Sequence, residues 1–203
     1  MRAWWLRTVL VLHSPRAVFV ALREDDPESA AQRSEPVLMI VLLAGIAFVL
    51  STRAAGRLMD DHDYDGLLVA VWALLAGFLY GAVAYWLFGG VLQLVVRRFG
   101  SRGSYRRSRH VLAFAWVPIA LSLVLWPLKL AAFGEDVFRS GGSDSGTGGA
   151  AFALLTGLFG VWSLALLLIG VRAVHGWSWS RAAAATTTAT LVPAALVVVL
   201  SAF

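Results

Sequence analysis

Long apolar runs alternate with short polar stretches along this chain of 203 residues. A helix needs about 20 apolar residues to cross the ~30 Å hydrocarbon core of a bilayer. The runs that reach or approach this length lie at residues 36–52, 67–94, 111–133, 150–171 and 182–203. The pattern therefore predicts an all-α, polytopic membrane protein. Its expected parts are a polar N-terminal segment at residues 1–35 and a bundle of five transmembrane helices at residues 36–203.

The polar N-terminal segment contains one predicted amphipathic helix. Ser14 can cap a helix that has Pro15 at its first position. Val18, Phe19 and Leu22 then share one face of that helix. The spacing predicts a short helix that could lie at the membrane surface.

Composition supports the membrane assignment. The chain is 59% hydrophobic and only 14% charged, whereas a soluble domain carries about 25% charged residues. There is no cysteine, which excludes disulfides and thiolate metal sites. The sequence also offers no cofactor-binding motif, so we expect no cofactor.

The arginines are distributed unequally between the two sides of the predicted bundle. Thirteen lie in the N-terminal segment and the second and fourth connections, against three in the first and third connections. Cytoplasmic loops carry an excess of basic residues. We therefore expect a cytoplasmic N-terminus and a C-terminus outside.

An acidic stretch, DDHDYDG at residues 60–66, precedes the second predicted span on the outer side. Its alternating aspartates resemble the first half of a calcium loop, but the twelfth position is Trp72, which cannot ligate a metal. Two interpretations stay open: a solvated loop in which Asp65 or Asp63 caps the next helix, or a weak site for Ca²⁺ or another divalent ion. The candidate ligands are Asp61, Asp63 and Asp65, with Glu135, Asp136 or Asp144 from the next outer loop.

Basic side chains gather on the predicted cytoplasmic side, at the ends of spans three, four and five. If these spans pack together, the side chains could form a site for a lipid phosphate or another anion. The alternative is the basic bias that any cytoplasmic face carries. The candidates are Arg106, Arg107, Arg109, His110, Arg172, His175 and Arg181.

Small residues within the spans predict close helix packing. Gly77 and Gly81 form a small-xxx-small pair in the second span, and Gly157 and Gly160 lie close together in the fourth. Pro118 predicts a kink in the third span, because proline removes a backbone donor.

Three sequence blocks resemble one known family. They are SPRAVFVAL before the first span, GSYRRSRHVLAFAWVPIAL leading into the third, and VWSLALLLIGVRAVHGWSWSRAAAAT between the fourth and fifth. Together with five spans, they resemble the Yip family of membrane proteins in its bacterial form. This implies a location in the bacterial inner membrane. The Asp-Leu-Tyr-Gly-Pro stretch of eukaryotic members is absent, so Rab-type GTPase binding is not carried over.

No catalytic constellation accompanies these features, and no Asp, Glu or His lies within a predicted span. We therefore expect a non-enzymatic membrane organiser or scaffold that binds lipids. Its expected protein partners are other membrane proteins or a second copy of the chain, and we expect no nucleic acid. The alternative is a passive transporter of a lipid or small solute, responsive to a divalent ion.

Overall fold

The computed structural model describes residues 2–24, 34–61 and 64–200, and the side chains at residues 6–23, 37–61, 64–192 and 195. Regular structure in these ranges is helical, with no strand. The α-helices are α1 (Arg2–His13), α2 (Pro15–Glu24), α3 (Ser34–Leu50), α4 (Gly66–Arg98), α5 (Tyr105–Ala115), α6 (Val117–Leu121), α7 (Leu125–Phe133), α8 (Thr147–His175) and α9 (Trp179–Leu200). The 3-10 turns are Ala55–Asp60, Ser122–Val124, Gly134–Phe138 and Ser143–Ser145.

Among the described residues, three helical stretches are long and apolar enough to cross a membrane. They are α4, α8 and the interrupted stretch Tyr105–Phe138, and their most apolar windows have mean hydropathies of 2.1 to 2.3. A shorter apolar stretch, Val37–Leu50, covers most of the first predicted span. Helix α9 covers the fifth as far as Leu200, and residues 201–203 lie outside the described residues. The predicted all-α polytopic fold is confirmed, whereas the five crossings and the division at residue 35 stay predictions.

The third predicted span is interrupted near both of its prolines. Helix α5 ends at Ala115 and α6 begins at Val117. Pro118 cannot donate a backbone hydrogen bond to the carbonyl of the preceding turn, which breaks the α-helical ladder there. The 3-10 turn Ser122–Val124 precedes Pro127 in the same way.

The chain forms two compact units. Unit 1 comprises Met1–Leu38, Ala84–Ala115 and Leu164–Phe203, and unit 2 comprises Met39–Val83 and Trp116–Ser163. By sequence, the stretches of unit 1 hold thirteen of the sixteen arginines. The unit that packing defines therefore comprises the arginine-rich stretches of the chain.

In unit 2, α3 and α4 approach each other backbone to backbone. A Cβ atom added at Gly81 would lie 2.5 Å from the carbonyl oxygen of Val41, and one at Gly77 would lie 2.6 Å from the Cα of Ile46. A Cβ atom at Gly45 would overlap the carbonyl oxygen of Gly77. Three glycines from two helices thus make a contact that no other residue type permits.

In unit 1, α2 packs its apolar face against α5 and α8. Val18, Phe19 and Leu22 are buried there. A Cβ atom at Gly170 would lie 2.9 Å from both the Phe19 ring and the Val111 side chain, so the glycine makes room for that ring. The amphipathic helix is confirmed, but its apolar face is covered by protein. Gly170 of α8 leaves the space that Phe19 occupies, and the position of this helix at a membrane surface stays a prediction.

Candidate anion-binding site

Two helices of unit 1 end in glycine turns that face each other. Helix α4 is followed by Gly100 with φ +86°, and α8 by Gly176 with φ +65°. The N–H of Ser101 donates to the carbonyl of Val96 (2.9 Å), which closes the end of α4 in the manner of a Schellman motif. Left-handed backbone at both positions favours glycine, because a Cβ atom would be strained there. These turns bring the loop at residues 99–104 beside the end of α8.

A cavity of ≈ 320 Å³ lies between that loop and the end of α8. We call it the basic cavity. It is lined by Arg23 from α2, Arg102 from the loop, Arg107 from α5 and His175 from α8. None of its described lining residues is acidic. Three guanidinium groups without an acidic neighbour in the lining form an environment that favours an anion.

A hydroxyl–imidazole contact forms part of the wall of the basic cavity. The Oγ of Ser101 lies 3.0 Å from Nδ1 of His175 and accepts a hydrogen bond from the N–H of Gly103 (2.9 Å). Because Oγ accepts from Gly103, its own proton is available for Nδ1. When Oγ donates to Nδ1, the imidazole carries its proton on Nε2, which can then donate to a ligand. The His175 ring also stacks on Trp177, with centroids 4.7 Å apart.

A buried glutamine of α4 holds the loop in place. The Nε2 of Gln93 donates to the carbonyl of Gly103 (2.7 Å), and its Oε1 accepts from the hydroxyl of Ser108 in α5 (2.5 Å). Gln93 is only 5% exposed. The side chain therefore connects α4, the loop and α5, and it fixes the backbone beside Arg102.

Of the seven basic residues predicted from the sequence, two line the basic cavity. These are Arg107 and His175. Arg181 contacts the same wall: its guanidinium donates to the carbonyl of Phe99 and lies 4.7 Å from the centre of the Trp177 ring. The structure thus brings these three residues of α5, α8 and α9 to the same wall.

Three other predicted residues lie on α5, outside the lining of the basic cavity. The guanidinium of Arg109 lies over Trp86 (3.7 Å to the ring centre) and near Tyr105 (4.7 Å). Such contacts stabilise a cation within the protein. Arg106 is exposed in the first turn of α5, and His110 is buried further along.

The remaining predicted residue, Arg172, lines a different cavity in unit 1. This cavity of ≈ 810 Å³ lies between the turn joining α1 to α2, the last part of α8 and the start of α9. We call it the hairpin cavity. The guanidinium of Arg172 lies 4.4 Å from the centre of the Trp179 ring. A single anion site holding all seven residues is therefore not what the structure shows.

Two residues of the basic cavity were missed by sequence reasoning. Arg23 reaches it because α2 packs on α5 and α8, and its guanidinium lies close to Gly176. Arg102 reaches it because Gly100 and Gly103 flank a tight loop. The glycine-serine pattern GSRGS at residues 100–104 was the available signal, since it predicts a turn around an arginine.

The outer acidic segment belongs to unit 2, where Asp65 caps α4. Its Oδ1 accepts from the N–H of Leu68 (2.8 Å), as an N-cap does. Asp63 lies outside the described residues, and Asp61 is exposed. The capping alternative therefore holds for Asp65. Among the described His, Asp and Glu side chains, no group of three could hold a metal ion.

Other carboxylates of unit 2 have partners from the protein. Asp144 pairs with Lys129 (2.6 Å) and Asp136 with Arg139 (3.6 Å). Asp60 accepts from the hydroxyl (2.5 Å) and the N–H (2.8 Å) of Ser140, and these bonds hold the pKa of its carboxyl below the usual value. Asp136 and Asp144, two of the predicted accessory metal ligands, are thus in ion pairs. The third, Glu135, lies beside Gly66 at the start of α4.

The two predicted glycine pairs have different surroundings. Gly77 and Gly81 lie against α3, as described above. Beside Gly157 and Gly160 there is open space, with no described atom within 4 Å of an added Cβ. Pro118 is buried near the start of α6.

Comparison with known families identifies the chain. The Yip1 domain matches residues 9–202, which is nearly the whole sequence. No curated protein and no solved structure gives a significant match. The resemblance inferred from the three sequence blocks is confirmed: this multi-pass membrane protein belongs to the Yip1 domain family.

Proposed function

We propose that this protein is a non-enzymatic membrane organiser that holds the headgroup of an acidic lipid in the basic cavity. The observation that carries the proposal is the convergence of Arg23, Arg102, Arg107 and His175 on one cavity without an acidic lining residue. Guanidinium groups bind phosphate oxygens in pairs, and this geometry gives specificity as well as affinity.

An anion would also relieve repulsion within the basic cavity. Arg107 is half-buried, and like charges that share a partly buried site repel each other. A phosphate between the guanidinium groups replaces this repulsion with charge-assisted hydrogen bonds. The loop held by Gln93 and the hydroxyl of Ser101 keep the wall in position before the lipid arrives.

The arginine distribution supports a cytoplasmic position for the basic cavity. The positive-inside rule places the arginine-rich connections in the cytoplasm, with the N-terminus there and the C-terminus outside. The cytoplasmic leaflet carries the anionic lipids that a basic site attracts. For a bacterial member of the family, this leaflet belongs to the inner membrane.

Apolar side chains on α4 and α8 support a role in organising other membrane proteins. Leu75 and Leu79 on α4 are 64% and 65% exposed, and Leu154 and Val161 on α8 are 65% and 64% exposed. In a bilayer these surfaces meet lipid tails or the helices of a partner. We propose that the partner is another membrane protein or a second copy of the chain.

The transport alternative has less support. The hydroxyls of Thr188 and Thr190 bond to carbonyls of their own helix, α9. Tyr80 stacks on Phe48 of α3, with ring centres 4.5 Å apart. These groups are engaged locally within their own units, as expected for packing. No contact in the described residues favours a divalent-ion response over capping of α4.

A lipid titration tests the proposed site. The purified chain is titrated with a short-chain phosphatidylglycerol or phosphatidylcholine, and bound lipid is counted by native mass spectrometry. We expect phosphatidylglycerol to bind more tightly, and the double variant Arg23→Gln, Arg107→Gln to weaken it by about 10-fold or more, since hydrogen bonds to charged groups contribute about 1.5–3 kcal/mol.

The matched control is Arg53→Gln, Arg57→Gln, which removes the same charge from unit 2. It should bind phosphatidylglycerol as the native chain does. Equal losses in both double variants would mean that only net charge matters. Equal binding of the two lipids by the native chain would contradict the proposed site.

A further inference from the structure

The hairpin cavity is a second concave site in unit 1, separate from the basic cavity. Its volume of ≈ 810 Å³ lies within the range of about 300–1,000 Å³ that is usual for small-molecule sites. Helix α2 contributes Ala17, Val20 and Ala21, and α8 contributes Ile169 and Ala173. These α2 residues lie on the face of the helix opposite to its buried side chains. The cavity is therefore on the side of α2 that does not pack against α5 and α8.

The charged groups of the hairpin cavity have one sign. His13, Arg16 and Arg172 line it, and none of its described lining residues is acidic. The remaining walls are small and aliphatic, apart from Trp179 and the turn at Ser14 and Pro15. A ligand with polar groups along its whole length would leave them unpaired on such walls. A ligand with one anionic end and an alkyl chain matches both the basic side chains and the aliphatic walls of the cavity.

Arg172 contributes its guanidinium to the wall of this cavity. Its Nε is buried and has no hydrogen-bond partner among the described residues. The guanidinium is positioned by the face of the Trp179 ring, 4.4 Å from the ring centre. Buried donors are normally paired, and an unpaired one requires an explanation. The Nε is covered by protein, so a carboxylate in the cavity would bind the rest of the guanidinium, and its charge would stabilise this incompletely paired cation.

We infer that the hairpin cavity binds one long-chain fatty acid, with its carboxylate on Arg172 and its alkyl chain along the small side chains of α2 and α8. This site is distinct from the proposed headgroup site, and its occupancy does not depend on that proposal. The short Ala17 and Ala21 side chains leave the space for the chain. Arg16 adds positive charge at the carboxylate end.

Quenching of tryptophan fluorescence tests the inference. The purified full-length chain, in a non-ionic detergent, is titrated with a dibrominated stearic acid, because bromine quenches the nearby Trp179. Stearic acid and stearyl alcohol are then added as competitors of equal length. We expect saturable quenching that stearic acid reverses at least about 10-fold more effectively than the alcohol. Trp179→Phe should remove most of the saturable signal.

Two variants locate the ligand. Arg172→Gln should weaken stearic acid at least about 10-fold and leave the alcohol unchanged, since it removes the guanidinium that binds the carboxylate and leaves the apolar walls in place. Ala21→Trp should abolish saturable binding by filling the cavity, and Ala17→Phe serves the same purpose if the first variant does not fold. Arg139→Gln in unit 2 is the charge control.

Several outcomes would overturn the inference. Equal competition by acid and alcohol, or native affinity in Arg172→Gln, would remove the carboxylate anchor. Native binding in both cavity-filling variants would place the ligand elsewhere. Saturable quenching by a brominated two-chain phospholipid, with none by the fatty acid, would assign the cavity to a membrane phospholipid. Phosphatidylglycerol binding to the basic cavity serves as an independent measure in each variant, so failure at one site is distinguishable from failure at the other.

Discussion

Gly81→Ala is expected to destabilise the protein by about 1–3 kcal/mol, the usual effect of overpacking a close contact. The added Cβ would lie 2.5 Å from the carbonyl oxygen of Val41. Because that oxygen belongs to a helical backbone, α3 and α4 must move apart to accept the methyl group. A change of 1 kcal/mol shifts the melting temperature by about 2–4 °C in a chain of this size. Thermal unfolding followed by tryptophan fluorescence would measure the effect.

The matched control changes the same residue type on α8. Gly157 has open space where the methyl group would go. Alanine is about 0.8–1.0 kcal/mol more favourable than glycine within a helix. Gly157→Ala should therefore leave the melting temperature unchanged or raise it. Equal changes of the same sign in the two variants would contradict the glycine contact between α3 and α4.

Gln93→Leu is expected to cost about 2–4 kcal/mol and to weaken lipid binding at the basic cavity. The substitution leaves the carbonyl of Gly103 and the hydroxyl of Ser108 without their partner. Each unsatisfied polar group costs about 1–3 kcal/mol of folding free energy when it is buried. The cost is smaller for the carbonyl of Gly103, because this residue is only half-buried. Because Gln93 lies outside the lining of the basic cavity, any loss of affinity must pass through the loop that carries Arg102 or through α5, which carries Arg107.

A double-mutant cycle with Ser108→Ala isolates the hydrogen bond. Replacing both partners by apolar groups removes the unsatisfied hydroxyl, so the double variant should lose less stability than the sum of the two single variants. Stability is read from thermal unfolding, and affinity from the phosphatidylglycerol titration. Additive losses, with unchanged lipid affinity in Gln93→Leu, would show that Gln93 does not hold the loop.

The sequence predicted the helical architecture well because apolar runs and proline act locally. The cores of the long helices coincide with the predicted spans, and Pro118 marks an interruption. The amphipathic pattern of α2 was also visible, since Val18, Phe19 and Leu22 repeat with helical spacing. The contact between Phe19 and Gly170 could not be predicted from the sequence, because it joins residues far apart in the chain.

The glycine pairs show where local patterns stop being informative. Gly77 and Gly81 make the predicted kind of close contact, and their partner, Gly45, was not identified from the sequence. Gly157 and Gly160 have similar local signals but no described neighbour. A small-residue pattern reports that a helix can be approached closely. It does not report which helix approaches it.

The candidate anion site was predicted only in part, for the same reason. The positive-inside pattern identifies the side on which arginines gather, but not which of them meet. Arg107 and His175 meet at the basic cavity, whereas Arg172 lines the hairpin cavity. Arg23 and Arg102 complete the basic cavity through the docking of α2 and the turn after α4.

The measurement that tests the proposed function most directly is the native mass of the protein extracted with its surrounding lipid and without detergent. We expect the native chain to retain an acidic phospholipid, together with a partner protein or a second copy of the chain. The Arg23→Gln, Arg107→Gln variant should lose the lipid, and Arg53→Gln, Arg57→Gln should keep it. A chain that carries lipids in the same proportions as the bulk membrane, unchanged in either variant, would contradict the proposal of a lipid-holding organiser.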